Sequence, residues 1–301
     1  MVEFSLLIAI ILLAKWVTSA TTVITVDTTA TGTPIEGDLL VMFVSYKVVD
    51  PGIVNLDNFQ GAGPFIIESI NDPLEFQVNQ QLNNGAQFLL ESFNGQPFSA
   101  NFECLFNNDQ STMYFGTTTD TTFPFIGSQF NNFEGSIYFR QLERGSGGGI
   151  SVTSPYFSND YGAGISIVNQ LFNLNTEIEG NGCFGLFEES AFYIQSAFPI
   201  SSEQRINLAS SEATLRVGAG LYNSDSPICT VTNFGLGNTI GLDTPLDCIS
   251  YDTSTGILSL VSLGQTNAFS IGFGYDPDGF SIVSDDSKGL IPVQNNAQDL
   301  V

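Results

Sequence analysis

Residues 247–260 of the chain read DCISYDTSTGILSL. Two short apolar segments flank a polar turn that contains Gly256, a pattern typical of two antiparallel strands joined by a tight turn. Two earlier stretches, 103–115 and 182–194, repeat the order of a cysteine, an aromatic residue, a polar turn and a second apolar segment. The uneven spacing of the three cysteines argues against a true internal repeat, but each stretch predicts a β-hairpin.

Strand-sized apolar segments separated by Asn, Gly, Pro and Asp continue from residue 21 to residue 284. Asn84-Gly85 and Asn94-Gly95 are the sharpest hairpin signals, because Asn-Gly readily adopts the positive φ angles of a type I′ turn. The apolar segment 38–49 predicts one long buried strand. The 26 Phe residues suit half-buried pleated surfaces. We therefore predict an all-β protein with an antiparallel β-sandwich or jelly-roll-like fold, built as one large or two smaller units.

Residues 1–20 predict a cleavable secretory signal helix. The segment from Phe4 to Ala14 is apolar apart from Ser5, and it is shorter than the roughly 20 residues that a bilayer span needs. Small residues up to position 20 suit signal cleavage. Glu3 stands where a signal usually carries positive charge, so a retained N-terminal helix or anchor is the alternative. Cleavage would give a secreted or surface protein with no stable membrane span in the mature chain.

The clearest low-complexity segment is the Gly-rich run at 145–149, close to the midpoint of the chain. It predicts either a flexible linker between two domains or a long surface loop within one. On the linker interpretation, an N-terminal β domain occupies 21–144 and a C-terminal β domain occupies 150–284. Residues 285–301 are predicted to form a polar tail.

The charge balance restricts the partners. Lys and Arg number 7 against 31 Asp and Glu, which gives a formal net charge of −24. Such a chain repels nucleic acid, whose affinity for proteins comes mostly from cationic side chains, and it is disfavoured at anionic lipid surfaces. Neutral polymers, cationic partners and calcium remain open.

The four cysteines are candidates for two disulfides, since exported proteins usually oxidise their thiols. Cys229 and Cys248 form the nearest pair in sequence, and a bond between Cys104 and Cys183 would then link the two halves. All three connectivities stay open. Zinc binding by these cysteines is not expected, because the chain has no Cys-x₂-Cys spacing and no His.

Asp276 and Asp278 are the only calcium candidates. Their spacing and the following Gly279 resemble the start of a calcium loop, but the further oxygen ligands of such a loop are missing. A turn explains the same residues, because Pro277 presets φ and aspartate bonds its own backbone. We therefore predict no cofactor, with calcium as the alternative.

No catalytic residue can be named from the sequence. The absence of His excludes a triad with a histidine base, and no phosphate loop or nucleophile elbow occurs. Carboxylate pairs that could hydrolyse glycosides occur at Glu188/Glu189, Glu177/Glu179 and Glu134/Glu143, but a solvated strand face explains them equally well. The alternative function is a carbohydrate-binding or carbohydrate-hydrolysing module that stacks sugars on tyrosine rings, for which the candidates are Tyr114, Tyr138, Tyr156, Tyr161, Tyr222, Tyr251 and Tyr275.

The segment from Thr21 to Thr28 is β-branched and directly follows the predicted cleavage site. It is either the first strand of its own domain or a strand that completes the sheet of a neighbouring copy. Export, the absence of His and the absence of catalytic motifs together favour a non-enzymatic structural or cell-surface protein. A wall, matrix, coat or filament component is expected, with neutral polysaccharide or further copies of the chain as partners.

Overall fold

The computed structural model describes residues 21–118, 121–127, 129–143, 149–195, 199–218, 228–235, 237–284 and 298–300. The predicted signal segment 1–20, most of the Gly-rich run at 145–149 and most of the polar tail at 285–301 lie outside these residues.

The described chain consists almost entirely of β-strands joined by short corners. The strands are, in chain order, β1 Thr21–Ile24, β2 Thr28–Thr31, β3 Ile35–Val41, β4 Tyr46–Val49, β5 Ile53–Gly61, β6 Phe65–Ser69, β7 Leu74–Asn84, β8 Gln87–Ser92, β9 Phe98–Phe102, β10 Leu105–Asp109, β11 Thr112–Thr117, β12 Thr122–Ile126, β13 Gln129–Phe133, β14 Ser136–Gln141, β15 Gly149–Thr153, β16 Phe157–Asp160, β17 Gly164–Val168, β18 Leu171–Leu174, β19 Ile178–Glu179, β20 Cys183–Phe187, β21 Ala191–Ile194, β22 Arg205–Leu208, β23 Thr214–Val217, β24 Thr230–Thr232, β25 Thr239–Leu242, β26 Cys248–Asp252, β27 Ile257–Ser262, β28 Gln265–Ser270, β29 Ile282–Ser284 and β30 Gln298–Leu300.

These strands wind as a parallel β-solenoid. In one sheet, here called sheet B, β2, β4, β6, β8, β11, β14, β17, β20, β22 and β24 follow one another in parallel register. The strands between them form sheet A, again in parallel. Between β8 and β20, each coil contributes two strands to sheet A, so that one ladder runs β7–β10–β13–β16 and a second runs β7–β9–β12–β15–β18. Later coils contribute one strand each, β21 and β23.

The predicted antiparallel sandwich or jelly-roll is therefore wrong. From β2 to β24, strands that follow one another in sequence lie in different ladders, and each strand pairs with the equivalent strand of the next coil. Asn94 (φ 54°) and Gly95 (φ 70°) do have the positive φ angles of a hairpin turn, yet β8 and β9 on either side of them belong to different sheets. Alternating strands and Asn-Gly corners are compatible with both folds, because each pattern specifies only an inward and an outward face.

One predicted hairpin is confirmed. β26 and β27 pair antiparallel, with Ser250 opposite Ser259, and β28 continues this antiparallel meander at the C-terminal end of sheet B. The two similar stretches are not hairpins, since β10 and β11 lie in different sheets, as do β20 and β21. The segment 38–49, predicted as one strand, contains the end of β3 and all of β4, which also lie in different sheets.

Stacked phenylalanine rings fill the interior. Phe106 and Phe130 stack with ring centroids 4.4 Å apart, and Phe130 and Phe157 stack at 4.3 Å. These residues pair across β10, β13 and β16, because parallel in-register strands place equivalent side chains above one another at about 4.8 Å. Aromatic columns of this kind account for the high Phe content of the sequence.

The strand ladder continues past the Gly-rich run. β15 begins at Gly149 and pairs with β12 on one side and with β18 on the other. The division into domains at 21–144 and 150–284 thus finds no support in the strand ladder. The segment from Thr21 to Thr28 contributes to the first coil of its own chain, because β1 pairs with β3 and Thr28 begins β2, which pairs with β4. No helix capable of spanning a bilayer occurs in the part of the chain that the structure describes.

Candidate functional site

A buried row of asparagines crosses neighbouring strands of sheet A near their C-terminal ends. Asn84, Asn108, Asn132 and Asn159 occupy equivalent positions of β7, β10, β13 and β16. All four are at most 2% exposed. Each passes a hydrogen bond to the next coil: Asn84 Nδ2 donates to Asn108 Oδ1 at 3.0 Å, Asn108 Nδ2 to Asn132 Oδ1 at 2.8 Å, and Asn132 Nδ2 to Asn159 Oδ1 at 2.9 Å. We call this the inner amide row.

A second row lies beside the first on the outward face of the same strands. Asn107 Nδ2 donates to Asn83 Oδ1 at 2.7 Å, and Asn131 Nδ2 donates to Asn107 Oδ1, also at 2.7 Å. Asn83 Nδ2 continues the row to Gln60 Oε1 at 3.2 Å. All four side chains are half-buried. In this outer amide row the donors point towards the N-terminal coils, opposite to the direction of the inner row.

The two rows arise from a simple sequence pattern. Consecutive asparagines, such as Asn107 and Asn108, point to opposite faces of a strand. Equivalent asparagines of adjacent coils are 24 residues apart from Asn84 to Asn132, and Asn159 follows Asn132 after 27 residues. The inner asparagines also satisfy corner backbone, since Asn108 Nδ2 donates to the carbonyl of Ser111 at 3.2 Å. The sequence analysis missed this spacing, although the pairs at 83–84, 107–108 and 131–132 are visible in the sequence.

An open groove with a volume of about 480 Å³ follows these rows. Its lining comprises Gln60, Asn83, Asn84, Gly85, Asn107, Asn108, Asp109, Asn131 and Phe133. Asn83 and Asn107 each use one N–H donor and one acceptor lone pair for hydrogen bonds within the outer amide row. A primary amide has two N–H groups and two acceptor lone pairs, so each rung retains capacity for a further donor and a further acceptor. Rungs repeat at about 4.8 Å along the solenoid axis.

An exposed aromatic pair lies at one end of the groove. Phe133 and Tyr161 are 38% and 62% exposed, with ring centroids 4.5 Å apart. Tyr161 and Glu134 both have positive φ angles, 55° and 51°, at equivalent corners. Non-glycine residues seldom adopt this conformation. Both side chains are exposed, and Tyr161 reaches the groove through its contact with Phe133.

The predicted carboxylate pairs do not lie together in this groove. Glu177 and Glu179 are exposed on the same outward face of the strand around Ile178, as the alternation predicted. Glu134 and Glu143 lie beyond opposite ends of β14. Glu188 is exposed, and its carboxylate accepts a hydrogen bond from Asn169 Nδ2.

The four cysteines are free thiols in the structure. β28 and β27 lie between β24, which follows Cys229, and β26, which begins at Cys248. Three strand spacings amount to about 14 Å, whereas the Cα atoms of a disulfide lie within roughly 7 Å. Cys104 and Cys183 are similarly separated by three coils. The ladder gives no support to these two links, and they stay predictions.

Asp276 takes part in a backbone turn. Its Oδ1 accepts a hydrogen bond from the Asp278 amide at 3.1 Å and caps the single 3₁₀ turn Pro277–Gly279. Among the described residues, no cluster of three or more acidic or cysteine side chains is placed to hold a metal ion. Calcium binding at Asp276 and Asp278 stays a prediction.

The candidate tyrosines fall into two groups. Tyr138 and Tyr161 are 40% and 62% exposed. Tyr251 and Tyr275 pack together near the C-terminal meander, where their hydroxyls donate to the carbonyls of Gly272 and Phe234, both at 2.7 Å. Tyr114, Tyr156 and Tyr275 are half-buried, Tyr251 is buried, and Tyr222 lies outside the described residues. The first group is therefore the most accessible to a sugar.

Comparison with known proteins places the chain in a family. The model for the N-terminal part of hyphally regulated cell wall proteins matches residues 10–298. The chain belongs to the hyphally regulated cell wall protein family. The prediction of a secreted, cell-surface protein is thereby confirmed, and the protein is a cell wall protein.

Relatives in Candida albicans agree with this assignment. Cell wall protein IFF7 is 30% identical over 284 residues, which cover 87% of this chain and 39% of that protein. Cell wall protein IFF9 is 29% identical over 265 residues, covering 82% of this chain and 28% of that protein. Cell wall protein RBR3 is 36% identical over 163 residues, covering 52% and 10%. The chain thus spans about two fifths or less of the length of these relatives.

Proposed function

We propose that this cell wall domain binds neutral polysaccharide along the amide groove. The observation that carries the proposal is the pair of amide rows, which places hydrogen-bonding groups at the spacing of β-strands beside an exposed aromatic pair. An extended polymer of hexopyranose units repeats at a distance close to one strand spacing, so that successive sugars meet successive rungs. Sugar hydroxyls donate and accept hydrogen bonds, as primary amides do.

The charge of the protein supports a neutral ligand. With a formal charge of −24, the chain repels anionic polymers. Asp109 adds a carboxylate to the groove lining, which suits hydroxyl donors. The exposed rings of Phe133 and Tyr161 provide an apolar surface for the C–H face of a sugar.

The proposal is tested by sedimentation of the chain with insoluble neutral polysaccharide. Tyr161→Ala and Asn107→Ala are expected to weaken binding about fivefold each, through lost stacking and a lost hydrogen bond. Phe273→Ala is the matched control, since Phe273 is 71% exposed and does not line the groove. An equal loss in the control, or no loss in either groove variant, would contradict the proposal.

Self-association through the first coil is a second candidate. β1 and β2 each have one partner among the described strands, β3 and β4. Such edge strands pair with other chains when they are not blocked. Light scattering of the chain over a range of concentrations tests this, and a constant monomer mass would contradict it.

A further inference from the structure

The outward face of sheet B carries the accessible basic side chains of the described part of the chain. Four basic residues occur in the described part of the chain, and Arg216 is buried. The other three, Lys47, Arg140 and Arg205, all lie on outward-facing positions of sheet B, in β4, β14 and β22. Within the described residues, the accessible cations of this acidic protein therefore lie on one sheet.

The side chains of Tyr114 and Glu91 cover Gly116 of β11. A Cβ atom at this position would lie 2.6 Å from Tyr114 Cε1 and 3.2 Å from Glu91 Cγ. The ring of Tyr114 and the side chain of Glu91 thus converge above the glycine, in space that any other residue would fill. In register, Glu91 precedes Gly116 by one strand and Arg140 follows it by one strand.

Glu91 differs from the neighbouring Glu68 in its partners. Its carboxylate is half-buried, and within the described residues neither a hydrogen bond nor an ion pair reaches it, whereas Glu68 pairs with Lys47 Nζ at 2.7 Å. Burial, reinforced by the charge of Glu68 and opposed by Arg140, raises the pKa of Glu91. Burial removes some of the hydrogen bonds that water would donate to this carboxylate, and a ligand that donates hydrogen bonds would replace them.

Two aromatic rings lie on the same face, with Tyr114 beside Glu91 at Gly116 and Tyr138 on the next strand. Tyr114 and Tyr138 are paired across β11 and β14, and Tyr138 is 40% exposed. Glu91 and Arg140 are two strand spacings apart, about 10 Å. That distance leaves room for one sugar ring between a hydrogen-bond acceptor and a hydrogen-bond donor.

We propose that Glu91, Arg140, Tyr114 and Tyr138 form a second carbohydrate-binding site, specific for a hexopyranose unit with free hydroxyl groups. The ring stacks on Tyr138, its hydroxyls donate to Glu91, and Arg140 donates to its oxygens. Because this site and the amide groove lie on different sheets, one domain holds two polysaccharide segments and cross-links them. The site stands on its own residues, whereas the cross-link rests on the proposed function of the groove.

Isothermal titration calorimetry of the full chain tests both sites. The probes are soluble hexasaccharides of β-linked glucose, β-linked N-acetylglucosamine and α-linked mannose. The tightest probe is expected to bind at two sites. Glu91→Gln is expected to weaken one of them about tenfold and Tyr138→Ala about fivefold, while Tyr161→Ala affects only the other. Glu75→Gln, an exposed carboxylate on β7 of sheet A, is the matched control.

The outcomes separate the two proposals. A single site that is lost in Tyr161→Ala and unchanged in Glu91→Gln would overturn the second site and keep the groove. A single site that is lost in Glu91→Gln and unchanged in Tyr161→Ala would overturn the groove and keep the second site. If none of the three probes binds, both are wrong.

Discussion

At the scale of single residues, neighbouring asparagines are expected to contribute differently to stability. Asn108 is buried and bonded to Asn84 and Asn132, whereas Asn107 is half-buried beside the groove. Asn108→Leu leaves buried amide groups without partners, which costs about 2 kcal/mol of unfolding free energy. Asn107→Leu, where water replaces the lost partner, is expected to cost less than about 1 kcal/mol. Urea denaturation measures both, and equal losses would show that the inner row adds no special stability.

Replacing Glu91 is expected to raise the stability of the protein and to lower its affinity for sugar. Its raised folded-state pKa means that the folded state binds more protons than the unfolded state just above the unfolded pKa, so stability falls as pH rises through that window. The charged side chains on the same face as Glu91 are Glu68, Lys47 and Arg140. Glu91→Gln should therefore stabilise the protein at neutral pH while weakening sugar binding. Thermal denaturation at pH 4 and pH 7 checks this. A variant that is less stable than the parent at pH 7 would contradict the argument.

The cysteines offer a chemical test of the disulfide prediction. Burial raises the pKa of the Cys104 and Cys229 thiols to about 12, so both are unreactive at pH 8, because the thiolate is the reactive form. Cys248 is exposed. Alkylation followed by mass spectrometry should modify Cys248 in the native protein and all four residues after unreduced unfolding. Failure of any cysteine to react in denaturant would instead establish a disulfide.

At the scale of one strand, β13 carries one phenylalanine that supports stability and another that is proposed to support binding. Phe130 points inward between Phe106 and Phe157, and Phe133 points outward into the groove. Phe130→Ala opens a cavity and should cost about 3–5 kcal/mol. Phe133→Ala should leave the denaturation midpoint nearly unchanged and reduce polysaccharide sedimentation. The same loss of stability in both variants would place Phe133 in the core.

The strands were predictable from the sequence, whereas their partners were not. The alternation around Ser250 and Leu258 predicts both strands and their faces, and the short turn between them is a hairpin as expected. Asn94-Gly95 carries the same local signal, but β9 lies in a different sheet from β8. Parallel pairing depends on contacts about 24 residues apart, which local turn chemistry does not encode. The amide groove escaped prediction for the same reason, since its residues come from separate coils.

At the scale of the whole molecule, the solenoid should tolerate removal of one complete coil. In such folds each coil contacts mainly its neighbours, so stability is close to a sum over coils and interfaces. Deletion of residues 85–108 joins Asn84 to Asp109 in register, because Asn84 and Asn108 are equivalent positions. Asn84 then faces Asn132, and the inner amide row closes again. Circular dichroism should show a β-rich, cooperatively melting protein with a lower midpoint.

The control deletion removes half as many residues, 85–96, and shifts the following strands out of register. β7 and β9, which both lie in sheet A, are then joined directly without the sheet B strand β8 between them, and what remains is half a coil. This smaller deletion is therefore expected to abolish the cooperative transition. The in-register deletion also removes Asn107 and hence one rung of the groove. Its affinity for a long neutral polysaccharide should therefore fall while the fold persists, and a fold that collapses more completely than in the control would refute the modular argument.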